Sequence, residues 1–177
     1  MRRVILTAAV ALAAVFATGA RAEGSGLSIQ GQVGAGKTAQ DVKTDVNVVY
    51  GLIFGLHFAG PLGVELDYQH AQNDVTGTGG LATVRQDGLF GHVRFDIGRA
   101  VVVPFIYAGA GWVHFHGSAA SVSGGVDRLV IPGGVGLEFQ AKPLVIGARG
   151  EYQWNTSKIA GQHVDYWKAV GTVGFQF

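Results

Sequence analysis

From Gly26 onward, apolar and polar residues alternate with a period of two in blocks separated by Gly, Pro and small polar residues, the pattern of β-strands with unlike faces. The last block shows it well. Phe177, Phe175, Val173, Gly171, Ala169 and Trp167 fall on one face, and Gln176, Gly174, Thr172, Val170, Lys168 and Tyr166 on the other. The spacing predicts eight strands, over 26–37, 46–58, 62–74, 83–97, 103–117, 127–140, 143–156 and 165–177. At about 11 to 15 residues each, they are longer than the usual strand of roughly five or six.

Charges collect on one face. The second strand sets Val48, Tyr50, Leu52, Phe54, Leu56 and Phe58 against Asn47, Val49, Gly51, Ile53, Gly55 and His57. In the third, Val64, Leu66 and Tyr68 oppose Glu65, Asp67 and Gln69; in the fourth, Leu89, Val93, Phe95 and Ile97 oppose His92, Arg94 and Asp96; in the seventh, Ile146, Ala148, Tyr152 and Trp154 oppose Arg149, Glu151 and Gln153. The connections alternate as well. Ala59-Gly60-Pro61, Gly98-Arg99-Ala100 and Ala141-Lys142-Pro143 are tight turns, whereas 38–45, 75–82, 118–126 and 157–164 are longer and rich in small polar residues. The expected fold is all-β, a closed eight-stranded antiparallel up-and-down barrel. The interior of such a barrel is only wide enough for side chains to fill. It has no room for so many bulky apolar residues, so these face outward into lipid, with aromatics forming girdles at the two interfaces. The girdle is read as Tyr50, Phe58, Tyr68, Phe95, Phe105, Phe115, Trp154 and Trp167. Closure pairs every backbone group, which is what lets a sheet live in hydrocarbon.

Ahead of the barrel, Met1-Arg2-Arg3, an apolar run from Val4 to Phe16 and the Ala20-Arg21-Ala22 end predict a secretory signal peptide over 1–22. The barrel domain is then 23–177. Losing Arg2, Arg3 and Arg21 takes the 13 Lys and Arg to 10 against 12 Asp and Glu, so the formal charge moves from +1 to −2. That balance gives no basic surface for nucleic acid. With no Cys there is neither a disulfide framework nor a thiolate metal site.

Residues 23–177 resemble the small eight-stranded OmpA/OmpX-type outer-membrane β-barrel family, porin-like in build. The resemblance is carried by Pro104-Phe105-Ile106-Tyr107-Ala108-Gly109-Ala110-Gly111-Trp112, Gly133-Gly134-Val135-Gly136-Leu137-Glu138-Phe139, Arg149-Gly150-Glu151-Tyr152 and the closing Val173-Gly174-Phe175-Gln176-Phe177. It implies export to the bacterial outer membrane, with outer-membrane lipid and the outer-membrane assembly machinery as partners. It also implies that Val173, Phe175 and Phe177 form the assembly signal.

Inside, Glu65, Asp67, Asp96, Glu138 and Glu151 face Arg94, Arg149 and Lys168. Charges in a narrow interior persist where they are mutually compensated, so these eight are expected to form a structural network. Gly31-Gln32-Val33-Gly34-Ala35-Gly36-Lys37-Thr38 matches the phosphate-loop pattern but lacks the helix that must follow it, so no nucleotide is expected. His114 and His116 fall short of the three or four ligands of a zinc site, and no metal or other cofactor is assigned. The fifth to seventh strands also resemble lipid A deacylase barrels. Where those carry a His-x-Ser pair, this chain has Tyr152 and Trp154, so no activated nucleophile or other catalytic group is found. The expected function is that of a noncatalytic outer-membrane barrel, structural or displaying surface loops for an unidentified partner. A small-solute channel and a lipid-modifying enzyme are the alternatives.

Overall fold

The computed structural model describes residues 26–38, 46–75, 82–98, 101–118, 125–156 and 165–177. The expected signal peptide and most of the four longer connections lie outside the described residues. Within them the chain forms eight strands: β1 (Gly26–Thr38), β2 (Asn47–His57), β3 (Leu62–Val75), β4 (Ala82–Asp96), β5 (Val102–Ser118), β6 (Gly125–Ala141), β7 (Leu144–Asn155) and β8 (Tyr166–Gln176). Each pairs antiparallel with its sequence neighbours, and β1 pairs with β8, so the sheet is a closed barrel. The seam is fixed at the turn end by a reciprocal pair of backbone hydrogen bonds: Leu27 N donates to Phe177 O at 3.1 Å and Phe177 N to Leu27 O at 2.8 Å.

The period of two in the sequence becomes a period of two in burial, most regularly in β8, where buried and exposed residues alternate from Tyr166 to Phe175. On the outer face Val33, Val48, Leu52, Val93, Ile106, Val135, Leu137, Ile146, Val173 and Phe175 are 47–62% exposed. Shielding such a side chain from water is worth about 1.5–3 kcal/mol, so this band of apolar surface belongs against hydrocarbon. Leu56 departs from its parity. It lies on the outward set of β2 but is only 2% exposed, between its half-buried register partners Leu27 and Val64.

The girdle expectation divides. Tyr50, Phe58, Tyr68, Phe95, Trp154 and Trp167 are exposed on the outer face, and Trp112, at 65% exposure, joins them unanticipated. Phe105 and Phe115 do not belong there. Phe105 is buried at 1% exposure, and Phe115 packs against an interior cluster of Phe90, Val113 and Val130. The reason is register: Phe105 pairs with inward Asp96, and Tyr107 with inward Arg94, while Ile106 between them pairs with outward Phe95. The odd-numbered residues of β5 therefore face the lumen.

Candidate functional site

The lumen is the place where the chain concentrates chemistry, and it has layers. Nearest the turn end, Arg94 from β4 reaches Glu138 from β6 with two parallel bonds, Nη1 to Oε1 at 2.7 Å and Nη2 to Oε2 at 2.6 Å. Arg149 from β7 clamps Glu65 from β3 in the same way, at 2.6 and 2.9 Å. Weaker bonds of 3.2 Å from Arg94 to Glu65 and 3.4 Å from Arg149 to Glu138 join the two pairs into one ring of four groups. The side chains of this ring are 0–2% exposed. Bidentate guanidinium–carboxylate bonds of this length are among the strong ones, and their geometry is what offsets the desolvation of four buried charges. Asp96 accepts from Arg94 Nε at 2.6 Å, Gln30 donates to Glu138 at 2.9 Å, and the Arg94 guanidinium lies 3.8 Å from the centre of the Phe105 ring.

Toward the loop end sits a second set built on Lys168. Its ammonium donates to Asp67 Oδ2 at 3.1 Å and Gln69 Oε1 at 2.6 Å, and lies 3.3 Å from Glu151 Oε1. Gln32 donates to Asp67, and Gln153 to Glu151 at 2.7 Å. His92 stands beside this set, with its Nε2 3.8 Å from Glu151 Oε2. Among the described residues, Asp67, His92 and Glu151 form the one group of ligand-type side chains whose atoms all lie within 4.8 Å of one another.

All eight charged residues read from the sequence thus meet in the lumen, across five strands. Gln30, Gln32, Gln69 and Gln153, buried on the same inward face, complete their hydrogen bonds. The lumen is not uniformly polar. Val49, Ala71, Tyr166 and Val170 form one apolar cluster and Phe90, Val113 and Val130 another.

Two interior glycines make room for the aromatics. A Cβ on Gly136 would stand 2.3 Å from the Phe105 ring, and one on Gly134 2.6 Å from the Tyr107 ring. The rings therefore lie flat over bare β6 backbone, which is where the Gly-rich stretch of that strand is required.

His114 and His116 take the even, outward parity of β5, their rings 4.2 Å apart, so they do not line the lumen. His114 Nδ1 lies 2.6 Å from Asp127, and His116 Nε2 lies 4.0 Å from Asp87, which also meets His70 Nδ1 at 2.8 Å and accepts from the Tyr68 hydroxyl at 3.0 Å. These contacts make a polar collar on the outer wall above the apolar band. Tyr152 and Trp154, the two positions compared with a hydrolytic His-x-Ser pair, also face outward, ring against ring at 4.9 Å, with the Tyr152 hydroxyl donating to Asp165 at 3.0 Å. The phosphate-loop look-alike runs along β1 and pairs on both sides as an ordinary strand.

Neisserial surface protein A superposes with a TM-score of 0.65 at 11% identity, covering 86% of this chain and 97% of that one. The N-terminal β-barrel domain of Pseudomonas aeruginosa OprF gives 0.56 at 16% identity, covering 85% and 97%. Ail, the attachment invasion locus protein of Yersinia pestis, gives 0.57 at 19% identity, covering 87% and 99%. At these identities the likeness is one of fold. No curated protein sequence matches the chain. The family model described as outer membrane protein beta-barrel domain matches residues 6–177, and the chain belongs to that family.

Proposed function

We propose that this protein is a noncatalytic integral barrel of the bacterial outer membrane, delivered by a signal peptide cleaved after residue 22, with a lumen closed by its own side chains. Its role is envelope structure and the display of its four longer loops to a surface partner. The observation that carries the reading is the ring of Arg94, Glu138, Arg149 and Glu65, which joins four strands across the lumen with side chains at most 2% exposed. Groups so placed bond to one another rather than to a passing solute. The outward position of Tyr152 and Trp154 supports the absence of a hydrolytic site, since neither supplies a nucleophile or a base to an enclosed pocket. Outer-membrane lipid against the apolar band and the assembly machinery during insertion are the partners this reading requires.

Planar-bilayer recording of the purified protein tests it. The expected result is no stable single-channel step; regular unitary conductance would reject the closed lumen and favour a small-solute channel. Mass spectrometry of lipid A after expression should show an unchanged acyl pattern, and an altered one would establish a lipid-modifying enzyme instead.

A further inference from the structure

The inward charges do not balance. Glu65, Asp67, Asp96, Glu138 and Glu151 stand against Arg94, Arg149 and Lys168, which leaves two carboxylates without a cationic partner of their own. The turn-end ring is matched two against two, so the excess lies in the Asp67–Glu151 set, where one Lys168 serves both, and at Asp96 on the rim.

The first of these places holds a histidine whose imidazole is unexplained. His92 has a fully buried side chain, and neither of its ring nitrogens makes a hydrogen bond. A neutral imidazole must donate from one nitrogen and accept at the other, and leaving a buried polar group unmatched costs about 1–3 kcal/mol. Its ring is held between Phe90, stacked at 6.1 Å, and Tyr107, edge-on at 5.0 Å. Glu151 Oε2, which faces it, accepts no hydrogen bond either, because Lys168 and Gln153 both go to Oε1.

We propose that Asp67, His92 and Glu151 bind a divalent first-row transition-metal ion, zinc(II) or a relative, within the barrel lumen. One imidazole nitrogen and two carboxylate oxygens are a mixed donor set that suits such an ion better than calcium or magnesium, which take oxygens alone. A tetrahedral ion about 2.1 Å from each ligand needs donor atoms about 3.4 Å apart. The present spacing of 3.8 Å from His92 to Glu151, with all three donors within 4.8 Å, reaches that by side-chain rotations of about an ångström. Lys168 need not leave: it holds Asp67 Oδ2 and Glu151 Oε1, so Glu151 Oε2 is the oxygen turned to the ion. A bound cation also offsets the one negative charge that Lys168 leaves unmatched in the Asp67–Glu151 set.

A site enclosed in this way loads while the barrel closes. The test is therefore to unfold the protein in urea, refold it in detergent micelles with one equivalent of cobalt(II) as a spectroscopic probe, and then remove accessible ion with EDTA. One cobalt per chain should remain, with visible ligand-field absorption, and zinc(II) present during refolding should suppress it. His92→Gln and Glu151→Gln, each checked for folding by heat-modifiable gel mobility, should fall from one retained ion to none. The double variant His114→Ala and His116→Ala should keep the ion, because those rings stand on the outer wall. A native chain that retains no ion overturns the proposal. So does a folded His92→Gln chain that retains as much as the native one. Conductance is a separate readout, so a failed metal site leaves the closed lumen standing.

Discussion

Arg149 illustrates how much one interior side chain holds. Its guanidinium gives two bonds to Glu65 and one to Glu138. Replacing it with leucine strands Glu65 on a single 3.2 Å bond from Arg94. Removing one partner of a buried pair typically costs about 3–5 kcal/mol, because the other charge stays buried without compensation. Arg149→Leu should therefore unfold at markedly lower urea concentration in detergent, followed by gel mobility, and Glu65→Leu in the same chain should recover part of the loss. An unchanged midpoint in the single variant would contradict a stabilising network. Gly136 makes a steric counterpart: Gly136→Val should lower refolding yield, since its Cβ would meet the Phe105 ring at 2.3 Å. Phe105→Leu added to it should restore part of the yield by withdrawing the ring, while the Ala148 carbonyl at 2.8 Å still crowds the new Cβ.

At the scale of the strand, β8 has two duties. It closes the barrel against β1 over eleven register pairs from Ser28–Gln176 to Thr38–Tyr166, and it carries Val173, Phe175 and Phe177 outward, at 56, 53 and 72% exposure. The proposed assembly signal, Val173, Phe175 and Phe177, would have to be read before the seam forms. Deleting Phe177 also removes the two backbone bonds to Leu27. The truncated chain should reach the outer membrane at reduced levels while whatever reaches it still folds, and normal levels by fractionation would argue against an assembly role. The β5 strand shows where pattern reading meets its limit. Both of its faces are apolar, Val103, Phe105, Tyr107 and Val113 against Ile106, Ala108, Ala110 and Trp112. With no polar contrast, nothing in that stretch says which set is inward.

For the whole molecule, the closed sheet and its two-sided wall set the medium. The apolar band, the collar of His70, Asp87, His114 and Asp127, and the luminal charges are consistent with one lipid-embedded barrel whose loop end carries the polar collar. Fractionation should find the protein with outer membranes, migrating faster on gels when unheated than when boiled; recovery in a soluble periplasmic fraction would end the membrane reading.

The strand count, the boundaries to within one or two residues, the closed barrel and the inward set of charges were all legible in the sequence. The reason is that alternation is local: each strand meets two media, and its own residues record both. What the sequence left open depends on neighbours. Phe105 and Phe115 turned inward because pairing with β4 fixes the parity of β5, and parity passes between strands only through register. The pairing of Arg149 with Glu65 and of Arg94 with Glu138, the seating of two rings on Gly134 and Gly136, and the convergence of Asp67, His92 and Glu151 all join residues far apart in the chain. Those distances are set by closure and by the stagger of strands around the barrel, which only the assembled sheet determines.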